Sequence, residues 1–88
     1  MEVRNVTVES KCGLHARPAS MVVTTANQFS SNITLKKLDR SANAKSIMGV
    51  LSIAASKGDQ IQVIIEGQDE AAAACALEDL FNNKLQNE

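Results

Sequence analysis

The chain's one histidine, His15, lies in the run Gly13-Leu14-His15-Ala16-Arg17-Pro18-Ala19. Proline is tolerated in a helix only within its first turn, so Pro18 calls for a helix that begins at about Ala16 or Arg17, with His15 directly before it. The first amides of a helix lack internal acceptors and point out of its N-terminal end, where the dipole also favours negative charge. A group carried on His15 would therefore sit over an anion site. No Ser, Thr, Asp or Asn stands at the cap position to occupy those amides, and Arg17 adds a planar fork suited to phosphate oxygens. A helix N-terminus disfavours a proton on an imidazole, and the neutral ring is the nucleophilic form. Covalent phosphoryl chemistry on His15 suits this pattern. From spacing alone, however, a lone histidine beside a helix start is more often a cap or a surface residue.

Two other places hold reactive side chains. Ser46 can cap a short helix running from Ile47 to about Ala54. That segment carries Ile47, Met48, Val50, Leu51, Ile53 and Ala54, too many apolar groups for one buried face, so some must be exposed. Ile47, Met48 and Leu51 are the candidates for a docking patch, with Met48 as its adaptable member. Cys12 pairs poorly with His15 as a hydrolase, having neither a third orienting residue nor an evident oxyanion pocket. Cys12 and Cys75 read as free thiols, Cys75 filling a small-hydrophobe position in an alanine-rich helix. One histidine without a cysteine pair does not make a zinc site, and nothing calls for a metal or an organic cofactor.

The elements that must position these groups follow from periodicity. Residues 3–8 are β-branched and partly alternating, a strand followed by a turn at Lys11-Cys12-Gly13. The helix after His15 presents Ala19, Val22, Val23 and Ala26 as one buried stripe. Asn32 to Leu38 alternates as a strand and folds back through Asp39-Arg40-Ser41 onto a short strand near Ala42–Ala44. The Ser46 helix ends at Ser56-Lys57-Gly58, and Gln60 to Glu66 is a strand with Ile61, Val63 and Ile65 on one face. Asp69 is a natural N-cap for a last helix with Glu70 in its first turn and Ala73, Leu77, Leu80, Phe81 and Leu85 at helical spacing. The order βαββαβα favours an α+β layer, helices on one face of an antiparallel sheet.

With 88 residues, 44% hydrophobic and 22% charged, the chain makes one small domain, residues 1–88, with a core able to fold unaided. No apolar run approaches the roughly 18 residues of a membrane span, and the N-terminal residues lack a signal-peptide pattern, which points to the cytoplasm. The net charge of −1 hides an asymmetry: residues 1–57 hold eight of nine basic and three of ten acidic residues. A basic half suits acidic partners or an anion. Nucleic acid fits poorly, with two aromatics for stacking and no basic cluster.

The string Gly13-Leu14-His15-Ala16-Arg17-Pro18-Ala19-Ser20 resembles the active-site signature of the HPr family, phosphocarriers of the bacterial phosphoenolpyruvate-dependent phosphotransferase system. Length, element order, the segment Lys45-Ser46-Ile47-Met48-Gly49-Val50 and the Lys57-Gly58 turn extend the resemblance over the whole chain. It implies an open-faced sandwich, a four-stranded antiparallel sheet with three helices on one face. It also implies that His15 is phosphorylated through Nδ1, that Arg17 steadies the phosphate, and that Ala16 and Arg17 supply backbone amides. Enzyme I would be the donor and enzyme IIA components the acceptors, with the first helix and the Met48 helix as the docking surface. Ser46 matches the position a regulatory kinase phosphorylates in many members. The chain departs from the family in having Thr24 and Asn27 where extra basic residues often stand, which leaves Arg17 and Lys45 as the nearby positive charges. A carrier this small that meets several partners through one face is expected to be a monomer. Two alternatives stand beside this reading: a corepressor-like regulatory module acting through Ser46 and the Met48 surface, and a carrier of the nitrogen branch, although Ser46-Ile47-Met48-Gly49 leans toward the sugar type.

Overall fold

A computed structural model describes all residues, Met1–Glu88. Its order is β1 (Glu2–Thr7), α1 (Ala16–Ala26), β2 (Asn32–Lys37), β3 (Arg40–Asn43), α2 (Ile47–Ser52), β4 (Gln60–Glu66) and α3 (Glu70–Asp79), the last continued by a π turn (Leu80–Lys84) and a 3-10 turn (Leu85–Asn87). The four strands form one antiparallel sheet in the order β1-β4-β2-β3. The expected α+β architecture is therefore present, with the helices packed on one face of the sheet.

Alternation decides which face that is. Val6 faces Ile61 across the β1–β4 pair and Leu35 faces Val63 across β2–β4, all four buried. These residues and their neighbours Ile33 and Ile65 meet Ala19, Val22 and Ala26 of α1, Val50 of α2, and Ala73, Ala74 and Leu77 of α3 in one apolar cluster. Val23, expected in the α1 stripe, is only half-buried at its edge, while Pro18 is buried.

Several local expectations shift for identifiable reasons. The β2–β3 hairpin closes through the two-residue turn Leu38-Asp39, with Lys37 opposite Arg40, so β3 starts two residues before the expected Ala42. Leu38 takes φ +55 to make that turn. Helix α2 stops at Ser52 instead of Ala54, because Ala54 adopts φ +54 and turns the chain away. Leu80, Phe81 and Leu85 are all buried, as the helical spacing implied. A 3.6-residue helix would rotate Leu85 by about 140° from Leu80; the wider π turn returns it toward the same face. Cys75 does not fill a core position: it is exposed, and Ala73, Ala74 and Leu77 take the inward face.

Asp69 precedes α3 as expected, yet its carboxylate does not cap that helix. It accepts from the Ser30 amide at 2.9 Å, the Ser31 amide at 3.0 Å and the Ser31 hydroxyl, clamping the start of β2 to the start of α3. These donors, the Ser31 hydroxyl foremost, hold the Asp69 carboxyl down at about 2. Glu70 does the terminal work instead, accepting from the Gly67 amide at 3.1 Å and pairing with the Met1 ammonium at 2.7 Å.

Candidate functional site

The site grows from the turn between β1 and α1. The Gly13 amide donates to the Ser10 carbonyl at 3.1 Å, and Gly13 takes φ +77. A Cβ at this position would lie 2.1 Å from the Ala55 carbonyl oxygen, so only glycine fits. Leu14 is buried, and its amide donates to that same Ala55 carbonyl at 3.0 Å. The loop carrying Ala55 is itself braced: Asp59 pairs with Lys37 at 2.8 Å and accepts from the Ser56 amide at 2.8 Å, contacts that, Lys37 foremost, lower the Asp59 carboxyl's affinity for a proton. The chain thus emerges from the core at His15 along a fixed path.

His15 is the N-cap residue of α1, extended at φ −104 and ψ −158, and it is exposed. Its carbonyl begins the helix by accepting from the Ala19 amide at 2.8 Å, while its ring forms no hydrogen bond within the chain. No side chain caps α1, and the amides of Ala16 and Arg17 find no acceptor in the protein. Two donors and the positive end of a three-turn helix are therefore open beside an exposed imidazole. His15 lines neither surface cleft of the molecule, whose volumes are about 440 and 410 Å³. Whatever reacts with it must be presented from outside rather than enclosed.

A profile described as the PTS HPr component phosphorylation site matches residues 3–83. The chain belongs to the HPr family. It is 46% identical over 88 residues to the phosphocarrier protein HPr of Treponema pallidum (strain Nichols), covering 100% of both chains. The crystal structure of HPr-C-His from Thermoanaerobacter tengcongensis superposes with a TM-score of 0.94 at 43% identity, covering 100% of this chain and 99% of that one. The solution structure of Crh, the Bacillus subtilis catabolite repression HPr, superposes with a TM-score of 0.69 at 40% identity, covering 94% of this chain and 99% of that one. The protein is thus an HPr-type phosphocarrier of the phosphotransferase system, built on the βαββαβα HPr fold.

The remaining expected residues of this HPr chain fall in two places. Arg17 is exposed next to His15, but its Nε pairs with Oε1 of Glu88 at 2.9 Å, so a carboxylate already holds the fork expected to steady phosphate. Ser46 is the N-cap of α2, accepting from the Gly49 amide at 3.1 Å, and is exposed. Ile47, Met48 and Leu51 are 40%, 77% and 41% exposed, whereas Val50 and Ile53 are buried, which is the division that the crowding of apolar residues required.

Lys45 departs from expectation. Its Nζ donates to the Phe29 carbonyl at 2.7 Å, beyond the C-terminal end of α1, and its carbonyl faces the Asn27 amide group at 3.4 Å. Ala55, after α2, sits instead against Leu14, before α1. The two helices consequently run in opposite directions, which puts Lys45 and the adjacent Ser46 toward the C-terminal end of α1, the end opposite His15. Only Arg17 of the two basic residues stands at the histidine.

Sequence reasoning missed Ser10 and Glu88. Ser10 is buried, and its hydroxyl donates to the Gly13 carbonyl at 2.7 Å. Serine at the first and glycine at the fourth position of a turn was the available signal. Glu88 had none, since its partner lies at the other end of the chain.

Proposed function

We propose that this protein accepts a phosphoryl group from enzyme I on His15 and delivers it to enzyme IIA components of the sugar branch, acting in the cytoplasm as a monomer with residues 1–88 as one domain. The observation that carries this reading is the exposed, hydrogen-bond-free imidazole at the uncapped start of α1, beside the open amides of Ala16 and Arg17. Neutral Nδ1 of His15 supplies the electron pair for a new P–N bond. The donor's P–N bond breaks, and its imidazole, protonated on the other ring nitrogen, leaves as the neutral ring with that bond's electron pair, so the positive charge passes to the His15 ring and no proton crosses between the two. The Ala16 and Arg17 amides receive the phosphoryl oxygens, and Arg17 exchanges the Glu88 carboxylate for them. The chain contributes position and charge to a reaction completed by its partner.

Ile47, Met48 and Leu51, with the exposed face of α1, form the docking patch in this reading. Phosphorylation of Ser46 by a kinase would keep its N-cap place favourable to the helix dipole while adding nearly two negative charges at the edge of that patch. The exposure of both Ser46 and Met48, together with the likeness to Crh, supports a second, regulatory use of the same surface. His15 keeps the carrier reading in first place.

Intact-mass spectrometry at mildly alkaline pH, after incubation with phosphoenolpyruvate and catalytic enzyme I from the same organism, tests the proposal. One acid-labile phosphoryl adduct, missing from His15→Ala, is the expected result. No adduct on the wild-type protein would overturn the carrier reading and shift the weight to the regulatory one.

A further inference from the structure

We infer that Ser10 is a positioning residue for phosphoryl transfer at His15, its buried hydroxyl locking the carbonyl from which the histidine backbone hangs. The inference rests on the assignment of His15 as the phosphoryl acceptor.

Because the His15 ring makes no hydrogen bond within the chain, its place is set by the backbone of residues 13–15, which is held by the Leu14 amide on the Ala55 carbonyl at 3.0 Å and by the bonds to the Gly13 carbonyl. The Gly13 carbonyl is the hub of that backbone. It accepts the His15 amide at 3.1 Å and the Ser10 hydroxyl at 2.7 Å, which uses both of its lone pairs. Ser10 closes the clasp from the other side, since its own carbonyl accepts the Gly13 amide at 3.1 Å. No other side chain donates to or accepts from the backbone of residues 11–17. Ser10 is also one of only two buried polar residues in the protein, and the other, Ser31, is bound to Asp69 at a distance from this turn. A buried hydroxyl at 0% exposure has no water to fall back on, so its single donated bond stays made.

Phosphoryl transfer is sensitive to such a lock. The attacking nitrogen must be in line with the breaking bond, and a misplacement of about 1 Å costs on the order of a hundredfold in rate. Without the Ser10 hydroxyl, the Gly13 carbonyl keeps one partner instead of two, and the peptide between Gly13 and Leu14, still tethered by the Leu14 amide to the Ala55 carbonyl, loses the restraint on its carbonyl side and can tilt about that remaining bond. The ring and the open Ala16 amide, both carried on this strand of chain, then lose their common alignment toward the phosphorus.

The test compares wild-type protein with Ser10→Ala and Ser10→Cys in single-turnover transfer from phosphorylated enzyme I. The temperature is held well below each Tm, and rates are normalised to the folded fraction read by circular dichroism. Ser10→Ala is expected to lower the transfer rate by about fivefold to tenfold, the factor one hydrogen bond supplies, with KM for enzyme I changed less than about twofold. Ser10→Cys, near in shape and a weaker donor, should fall between the two. In 15N–1H spectra, the amides of Leu14, His15 and Ala16 should move while those of α3 stay. A purely structural serine would lower Tm and leave the normalised rate and these amides alone, which overturns the inference. An effect confined to KM overturns it too, by placing Ser10 in docking. A wild-type protein that takes no phosphoryl group on His15 fails the carrier reading and this inference together; a labelled wild type with an indistinguishable Ser10→Ala fails this inference alone.

Discussion

Replacing Gly13 by alanine puts the geometry of the phosphoryl site to a quantitative test. The new Cβ would lie 2.1 Å from the Ala55 carbonyl oxygen and 2.9 Å from the Ser56 Cα. Both obstacles are backbone, so no side-chain rotation relieves them. Reaching even 3.0 Å requires the two segments to separate by about 0.9 Å at the carbonyl, which strains the Leu14–Ala55 hydrogen bond of 3.0 Å. Holding a non-glycine residue at φ +77 costs about 1–2 kcal/mol, and loss of the hydrogen bond adds about 0.5–1.5 kcal/mol. The sum is about 1.5–3.5 kcal/mol. At about 2.1 cal/mol/K per residue, an 88-residue chain has an unfolding entropy near 0.18 kcal/mol/K, so Tm should fall by about 8–19 °C. Thermal denaturation followed by circular dichroism measures that fall. The same displacement moves His15, so transfer from enzyme I in the folded fraction should drop at least tenfold. A Tm lowered by less than about 3 °C, or an unchanged transfer rate, would refute the reasoning that this turn is seated rigidly on the Ala55 loop.

The other expectations concern separate parts of the molecule. Leu38 holds φ +55 while 85% exposed, so Leu38→Gly should stabilise the protein by about 0.5–1 kcal/mol and raise Tm by about 3–5 °C. Ser46→Ala removes the acceptor for the Gly49 amide and should cost about 1 kcal/mol, whereas Ser46→Asp keeps the cap and should slow transfer to partners without lowering Tm. The Asp69 carboxyl is lowered to about 2 from its ordinary 3.8, first by the Ser31 hydroxyl, so its contribution to stability is complete above the ordinary value and is lost as pH falls through about 2. Asp69→Asn should accordingly lower Tm at neutral pH and flatten the acid limb of a plot of Tm against pH. Met48→Glu places a charge in the centre of the exposed apolar patch and should raise KM for enzyme I by about tenfold, with Tm within about 3 °C of wild type.

Local chemistry makes much of this protein legible in its sequence. Pro18 locates the start of α1 and hence puts His15 at its cap, because a ring that cannot donate and cannot rotate φ leaves one place in a helix. Alternation in β2 and β4 identifies Ile33, Leu35, Ile61, Val63 and Ile65 as core, since side chains two apart share a face of a strand. The surplus of apolar residues in α2 announces an exposed patch for the same geometric reason. What sequence could not supply were contacts between distant segments and backbone angles imposed by closure. Glu88 on Arg17, Lys45 at the far end of α1, the Asp69 clamp on Ser30 and Ser31, and the fit of Gly13 against Ala55 each join segments that only the packed sheet and helices bring together. The left-handed angles at Leu38 and Ala54 run against the preferences of both residues and arise because strand register and the path of the loop leave no alternative. Local propensity wrote the elements and the position of the histidine; long-range packing decided which charges and carbonyls surround it.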